Sequence, residues 1–139
     1  MTKPDAKLSR LRVFEYPLAE GWKVLAGRTD ADNEELSLKV ARANDWWFHV
    51  RGTSGSHVVL QGPDGEEAGR SLLEQAAAIA AYHSKARTAG VVPVSYTRAG
   101  NVTKPRGAKT GTVQISKEKV IKVRPGTPQT PNPEPPTAP

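Results

Sequence analysis

The 139-residue chain contains no cysteine, so neither disulfides nor thiolate metal ligands hold its fold together. It has no apolar run near the roughly 18 residues of a membrane span, and its first ten residues are polar, without the apolar stretch of a secretory leader. A soluble, cytoplasmic protein in a reducing compartment is the expectation. Acidic residues are scarce in one region: residues 85–124 carry ten Lys/Arg against the single Glu118, while residues 1–84 are slightly acidic. A block of one sign inside a folded domain makes a positive surface, and polyanions are the usual partners of such surfaces. The plainer reading, a basic block that keeps the protein soluble, does not call for segregating the signs.

Aromatic residues are also few, at 6%, and they are concentrated. Residues 45–60, D-W-W-F-H-V-R-G-T-S-G-S-H-V-V-L, hold two of the three Trp, one of the two Phe and two of the three His. The period of two places Trp46, Phe48 and Val50 on one face of a strand and Trp47, His49 and Arg51 on the other. The loop Gly52-Thr53-Ser54-Gly55-Ser56 can turn backbone N–H groups toward an anion. His57 then opens a second strand, Val58–Leu60, closed by the turn residues Gly62 to Gly65.

The rest of the chain reads as scaffolding. Leu11–Pro17 and Trp22–Gly27 form a hairpin around Ala19-Glu20-Gly21. The stretch from Thr29 to Ala43 has Asp and Asn at a cap and Lys39 and Arg42 at its end, as in a short helix with Leu36 and Val40 buried. Ser71–Arg87 is the main helix, with Ser71 and Glu74 as a capping box and an Ala-rich side that lets its axis lie close to a sheet. Val91–Thr97 is a strand whose Pro93 favours an edge or a bulge. Short extended pieces follow at Asn101–Lys104, Thr112–Ile115 and Val120–Val123. From Pro125 onward seven of fifteen residues are Pro, a composition expected to stay disordered. The fold class is α+β: mostly antiparallel strands packed against one main Ala-rich helix, plus a short helix. The domains are a 1–10 extension, a folded unit at 11–124 and a tail at 125–139.

No catalytic constellation emerges. Asp45, His49 and His57 match no standard metal-ligand spacing. Ser56 and His57, adjacent in a strand, point to opposite faces, and no G-x-S-x-G elbow is present. The G-T-S-G-S loop lacks the G-K-[ST] ending of a Walker loop. A non-enzymatic protein without cofactor or metal is therefore expected. What remains is nucleic-acid recognition: Arg51, Ser54, Ser56 and His57 at phosphates, and Trp47 and His49 as surfaces for unstacked bases. Lys104, Arg106, Lys109, Lys117, Lys119 and Lys122 extend a positive track. In the alternative, Trp47 and His49 are core, with His83 or a carboxylate satisfying the imidazole. A second functional class, a protein-interaction adaptor docking through the central loop on another protein, stays open.

The same residues resemble a known family. D-W-W-F-H-V-R-G-T-S-G-S-H-V-V-L is similar to the D-x-W-F-H…G-S-H-V signature of the NFACT-R domain, and A-A-I-A-A-Y-H-S-K-A-R, V-P-V-S-Y-T and K-P-R-G-A-K-T-G-T-V follow in the family's order. The resemblance spans about residues 12–124. On its pattern fall Asp45, Trp47, Phe48, His49, Gly55, Ser56, His57, Tyr82, Ser84, Lys85, Arg87, Lys104, Gly107, Ala108, Lys109 and Gly111, while Ser54 and Thr110 stand where the family often has Pro. It implies an RNA-binding domain of ribosome quality control factors, with rRNA or tRNA on the large ribosomal subunit as partner and Lys85 and Arg87 added to the contact residues. The large N-terminal domain and coiled coil of full-length members have no counterpart in these residues, so a stand-alone form is expected, and the addition of C-terminal tails to stalled chains is not transferred.

Overall fold

The computed structural model describes residues 11–128. The expected N-terminal extension and all of the Pro-rich tail beyond residue 128 lie outside them. Alternating apolar residues build β1 (Val13–Pro17), β2 (Lys23–Gly27), β3 (Trp46–Val50), β4 (Val58–Gln61), β5 (Val92–Arg98), β6 (Val102–Thr103), β7 (Gln114–Ile115) and β8 (Lys119–Val123). Six of them form one antiparallel sheet in the order β1-β2-β4-β3-β5-β8, and β6 pairs with β7. Two helices complete the α+β fold: α1 (Asp30–Glu35), which widens into a π-helical turn at Leu36–Val40, and α2 (Arg70–Tyr82).

The Ala-rich helix α2 lies across one face of the sheet, as its composition predicts. Ala76, Ala77, Ile79, Ala80 and Ala81 are fully buried against Val24, Phe48, Val50, Val58, Leu60 and Val94. Each fully buried side chain of the larger kind contributes roughly 1.5–3 kcal/mol, and the small Ala side lets backbone and sheet approach closely. The start of α2 differs from the expected capping box. Gly69 is the N-cap without a side-chain bond, Ser71 is already helical and receives Gln75, and Glu74 pairs with Arg70 at 3.1 Å. Its end differs too, because the helix stops at Tyr82 rather than at Arg87. There the chain is captured by the central loop: Ser56 N–H donates to His83 O at 2.9 Å and Lys85 N–H to Ser54 O at 3.0 Å.

Pro93 sits in an interior strand, flanked by β3 and β8, not at the sheet edge. It is tolerated because the register of β3 ends at Val50 opposite Val94, and Pro93 offers only its carbonyl, to Arg51 N–H at 3.0 Å. A proline has no N–H to give a ladder, so the last rung is the cheapest place for it.

On the opposite face, α1 is capped by Thr29, whose Oγ1 accepts from Asp32 N–H at 3.1 Å. The π turn closes with Ala41 N–H on Leu36 O at 2.9 Å, and this wider turn brings Leu36 and Ser37 inward. Leu36 joins Leu25, Trp47, Val59, Ala99 and Val102 in a second, smaller core.

Candidate nucleic-acid interface

Strand parity divides the central segment as its sequence indicates, but the second face is covered rather than open. Trp47 is 3% exposed and His57 5%, so in this arrangement neither ring is open to a base or a phosphate, and Trp47 takes the core position of the alternative reading. The cover comes from the π turn and from β6, which lie elsewhere in the chain. Ser37 ties the two rings together: the indole Nε1–H of Trp47 donates to Ser37 Oγ at 2.8 Å, and Ser37 Oγ lies 2.8 Å from His57 Nδ1. A hydroxyl has one proton to donate and two lone pairs, so Ser37 Oγ can serve both rings with His57 neutral. Burial, reinforced by nearby His49, pushes the His57 pKa down to about 4, consistent with that neutral ring. His57 N–H is held by Asn33 Oδ1 at 3.1 Å.

His49 is only half-buried. Its ring stacks near Trp47 at 6.0 Å and meets His57 edge-on at 5.6 Å. Burial lowers its pKa, opposed by hydrogen bonding to the backbone of Gly55 and Val50. With Arg51, Ser95, Gly111 and Thr112 these rings line a cavity of about 420 Å³. Arg51 reaches Glu118 at 3.5 Å, and Ser95 Oγ donates to the same carboxylate. The one acid of the basic block thus sits against the arginine expected at phosphates.

The basic loop is anchored under this face through Glu34. Lys104 Nζ lies 3.1 Å from Glu34 and Gly111 N–H donates to it at 2.9 Å. These bonds, the Gly111 N–H first, hold the Glu34 carboxyl below its ordinary pKa. Gly111 needs its left-handed φ of 89° to make that approach. Lys104 is therefore largely a structural cation and not a free phosphate contact. Arg98 is likewise engaged, by Glu67 at 2.8 Å and by the ring of Trp46 at 3.9 Å. Arg106, Lys109, Lys117, Lys119 and Lys122 are exposed and have no carboxylate partner among the described residues.

Ser54, Ser56, Lys85 and Arg87, separated by some thirty residues in sequence, meet at the end of α2. Gly55 bridges directly to Ser84, and a Cβ on Gly55 would lie 2.8 Å from Ser84 Cβ, which explains why the loop carries glycine there. Two of the loop's expected anion donors are committed elsewhere: Ser56 N–H goes to His83 O, and Ser56 Oγ–H to Gly27 O at 2.6 Å. The groove around them also contains Phe14 and Arg28 from the first hairpin. Both were invisible as site residues in the sequence. The signal available was parity, since Phe14 and Tyr16 share a face and α2 is too short to cover both.

The family model described as the NFACT protein RNA binding domain matches residues 12–117. The chain is 38% identical over 110 residues to the Rqc2 homolog RqcH of Bacillus subtilis, covering 79% of this chain and 19% of that protein. It is 33% identical over 85 residues to the ribosome quality control complex subunit NEMF homolog of Drosophila melanogaster, covering 61% of this chain and 9% of that one. The solved C-terminal part of the fibronectin/fibrinogen-binding protein from Streptococcus suis superposes with a TM-score of 0.76 at 34% identity, over 83% of this chain and 46% of that one. The chain thus spans about a fifth of the length of the RqcH relatives it matches.

Proposed function

Since this chain belongs to the NFACT-R family of RNA-binding domains, we propose that it binds ribosomal or transfer RNA on the large ribosomal subunit in ribosome-associated quality control, in the cytoplasm. The proposed binding unit is residues 11–124, and the proposed function is recognition without a chemical step. One observation carries the reading: Arg106, Lys109, Lys117, Lys119 and Lys122 stand exposed without carboxylate partners among the described residues. Cations left unpaired on a folded surface are available to displace the counterions of a polyphosphate backbone, the main source of RNA affinity. His49 and Arg51 line the cavity beside Gly111 and Thr112, at the end of the loop that carries Arg106 and Lys109. The names of the relatives supply the setting, since RqcH is an Rqc2 homolog and the NEMF homolog is a ribosome quality control subunit.

Crosslinking in cells, read by RNA sequencing and by mass spectrometry of the protein, tests this. Ribosomal or transfer RNA attached at Arg106, Lys109 or Lys117 is the expected result. Crosslinks to proteins alone would instead make the domain an adaptor whose basic surface only steers it.

A further inference from the structure

The groove at the end of α2 has the chemistry of a nucleotide seat. Its cavity measures about 620 Å³, within the roughly 300–1,000 Å³ typical of small-ligand pockets. The floor is aromatic: Phe14 stacks on His83 with ring centres 4.5 Å apart and planes 19° from parallel, and Tyr82 meets His83 edge-on at 5.1 Å. Two guanidinium groups lie on these rings, Arg28 at 4.8 Å over Phe14 and Arg87 at 4.1 Å over Tyr82. Arg28, Lys85 and Arg87 have no carboxylate partner among the described residues, and Asp30 is the one acid in the lining. Phe14, 38% exposed, is layered between His83 and the Arg28 guanidinium, which leaves the outer side of that guanidinium as the flat surface of a positively charged hollow.

We propose that this groove is a stacking subsite for one unpaired nucleotide of single-stranded RNA, its base on the Arg28–Phe14 layer and its phosphate held by Arg87 and Lys85. Flat guanidinium and aromatic surfaces are what unstacked bases lie on, and a concave seat admits a splayed-out base where a duplex edge does not enter. The floor is held in place: Tyr16 Oη and His83 Nε2 are hydrogen-bonded at 2.6 Å. Burial and then Arg87 push the His83 pKa down to about 4, so the ring under Phe14 is neutral near pH 7. The proposal rests on the RNA-binding reading and adds a place for a base contact other than Trp47, which is buried.

The test uses two single-stranded RNA octamers, one of adenylates and one of the same length with every base removed, and reads the ratio of their affinities. For the wild-type chain the adenylate octamer binds more tightly. Phe14→Leu keeps an apolar side chain at a partly exposed position and removes the flat surface. It lowers the ratio about tenfold, within the range of one missing base stack, while binding of the abasic octamer stays the same. The double variant Arg28→Ala, Arg87→Ala weakens both octamers. Independently of any variant, an octamer substituted with 4-thiouridine crosslinks to Phe14 or Tyr82 on irradiation. An unchanged ratio in Phe14→Leu, or crosslinks confined to other residues, overturns the stacking subsite while leaving RNA binding intact. If the wild-type chain binds neither octamer nor any structured RNA at low salt, the underlying RNA reading falls with it.

Discussion

The two faces of the six-stranded sheet are closed by different chemistry. Toward α2 the contacts are mainly apolar, with Phe48, Val50, Val58 and Leu60 against Ala76, Ala77, Ile79 and Ala80. Toward α1 the apolar residues Leu25, Trp47 and Val59 alternate with the buried polar side chains of Ser37, His57, Ser95 and Thr97. An apolar layer accepts any well-fitting volume. A polar one has to satisfy each donor and acceptor, because a buried orphan costs about 1–3 kcal/mol. The first face therefore stabilises the domain, whereas the second fixes one arrangement of the loop that carries Arg106 and Lys109, which Glu34 anchors through Lys104 and Gly111.

Substitutions separate these two kinds of closure. The largest effect expected is at Trp47. Because its ring is buried and hydrogen-bonded, Trp47→Ala lowers stability in urea unfolding by about 3–5 kcal/mol, as much as Phe48→Ala on the other face. A surface ring would cost far less. Next is a pH effect, to which the polar face contributes through His57. His57 titrates near 6.5 when unfolded and about 4 when folded, so the unfolded chain binds the proton more readily between those values. Stability is complete above about pH 6.5 and is lost as pH falls through about 4, by roughly 3 kcal/mol. His57→Asn keeps an acceptor for Ser37 and removes the His57 share of the acid loss, leaving a comparable share from His83, whose pKa burial and then Arg87 also push down to about 4.

On the apolar face the expected signature is steric. Ala80→Leu pushes a side chain into the fully buried seam between α2 and the sheet and costs about 1–3 kcal/mol with no change in pH dependence. The smallest effect belongs to neither face. Arg70→Ala removes an exposed i,i+4 pair with Glu74 and shifts stability by no more than about 0.5 kcal/mol. A larger loss there would mean that the first turn of α2 relies on that pair in the absence of a side-chain cap.

The sequence discloses those features that depend on neighbours a few residues away. Alternation in W-W-F-H-V places Phe48 and Val50 correctly, and the alanines of residues 76–81 mark the face that meets the sheet. What it hides depends on distant partners. Trp47 looks like a surface ring until the π turn lays Leu36 and Ser37 over it. The helix reads as running to Arg87 because nothing local reveals that Ser54 and Ser56 take the backbone groups of His83 and Lys85. Lys104 reads as a free cation until Glu34, seventy residues earlier, is brought beneath it. Phe14 and Arg28 join the groove only through the hairpin that carries them to the end of α2.

The central claim is that the cations left exposed, rather than those paired within the fold, carry the RNA contact. A salt titration of RNA affinity measures this directly for the wild-type chain, for the triple variant Arg106→Ala, Lys109→Ala, Lys117→Ala, and for Lys104→Ala, each first shown to be folded by circular dichroism. The triple variant is expected to bind more weakly and to flatten the dependence of log K on log salt by about 0.7 for each phosphate of a single strand that it no longer neutralises. Lys104→Ala, whose cation is held by Glu34, is expected to leave that slope nearly unchanged. An unaltered slope and affinity in the triple variant would contradict the account.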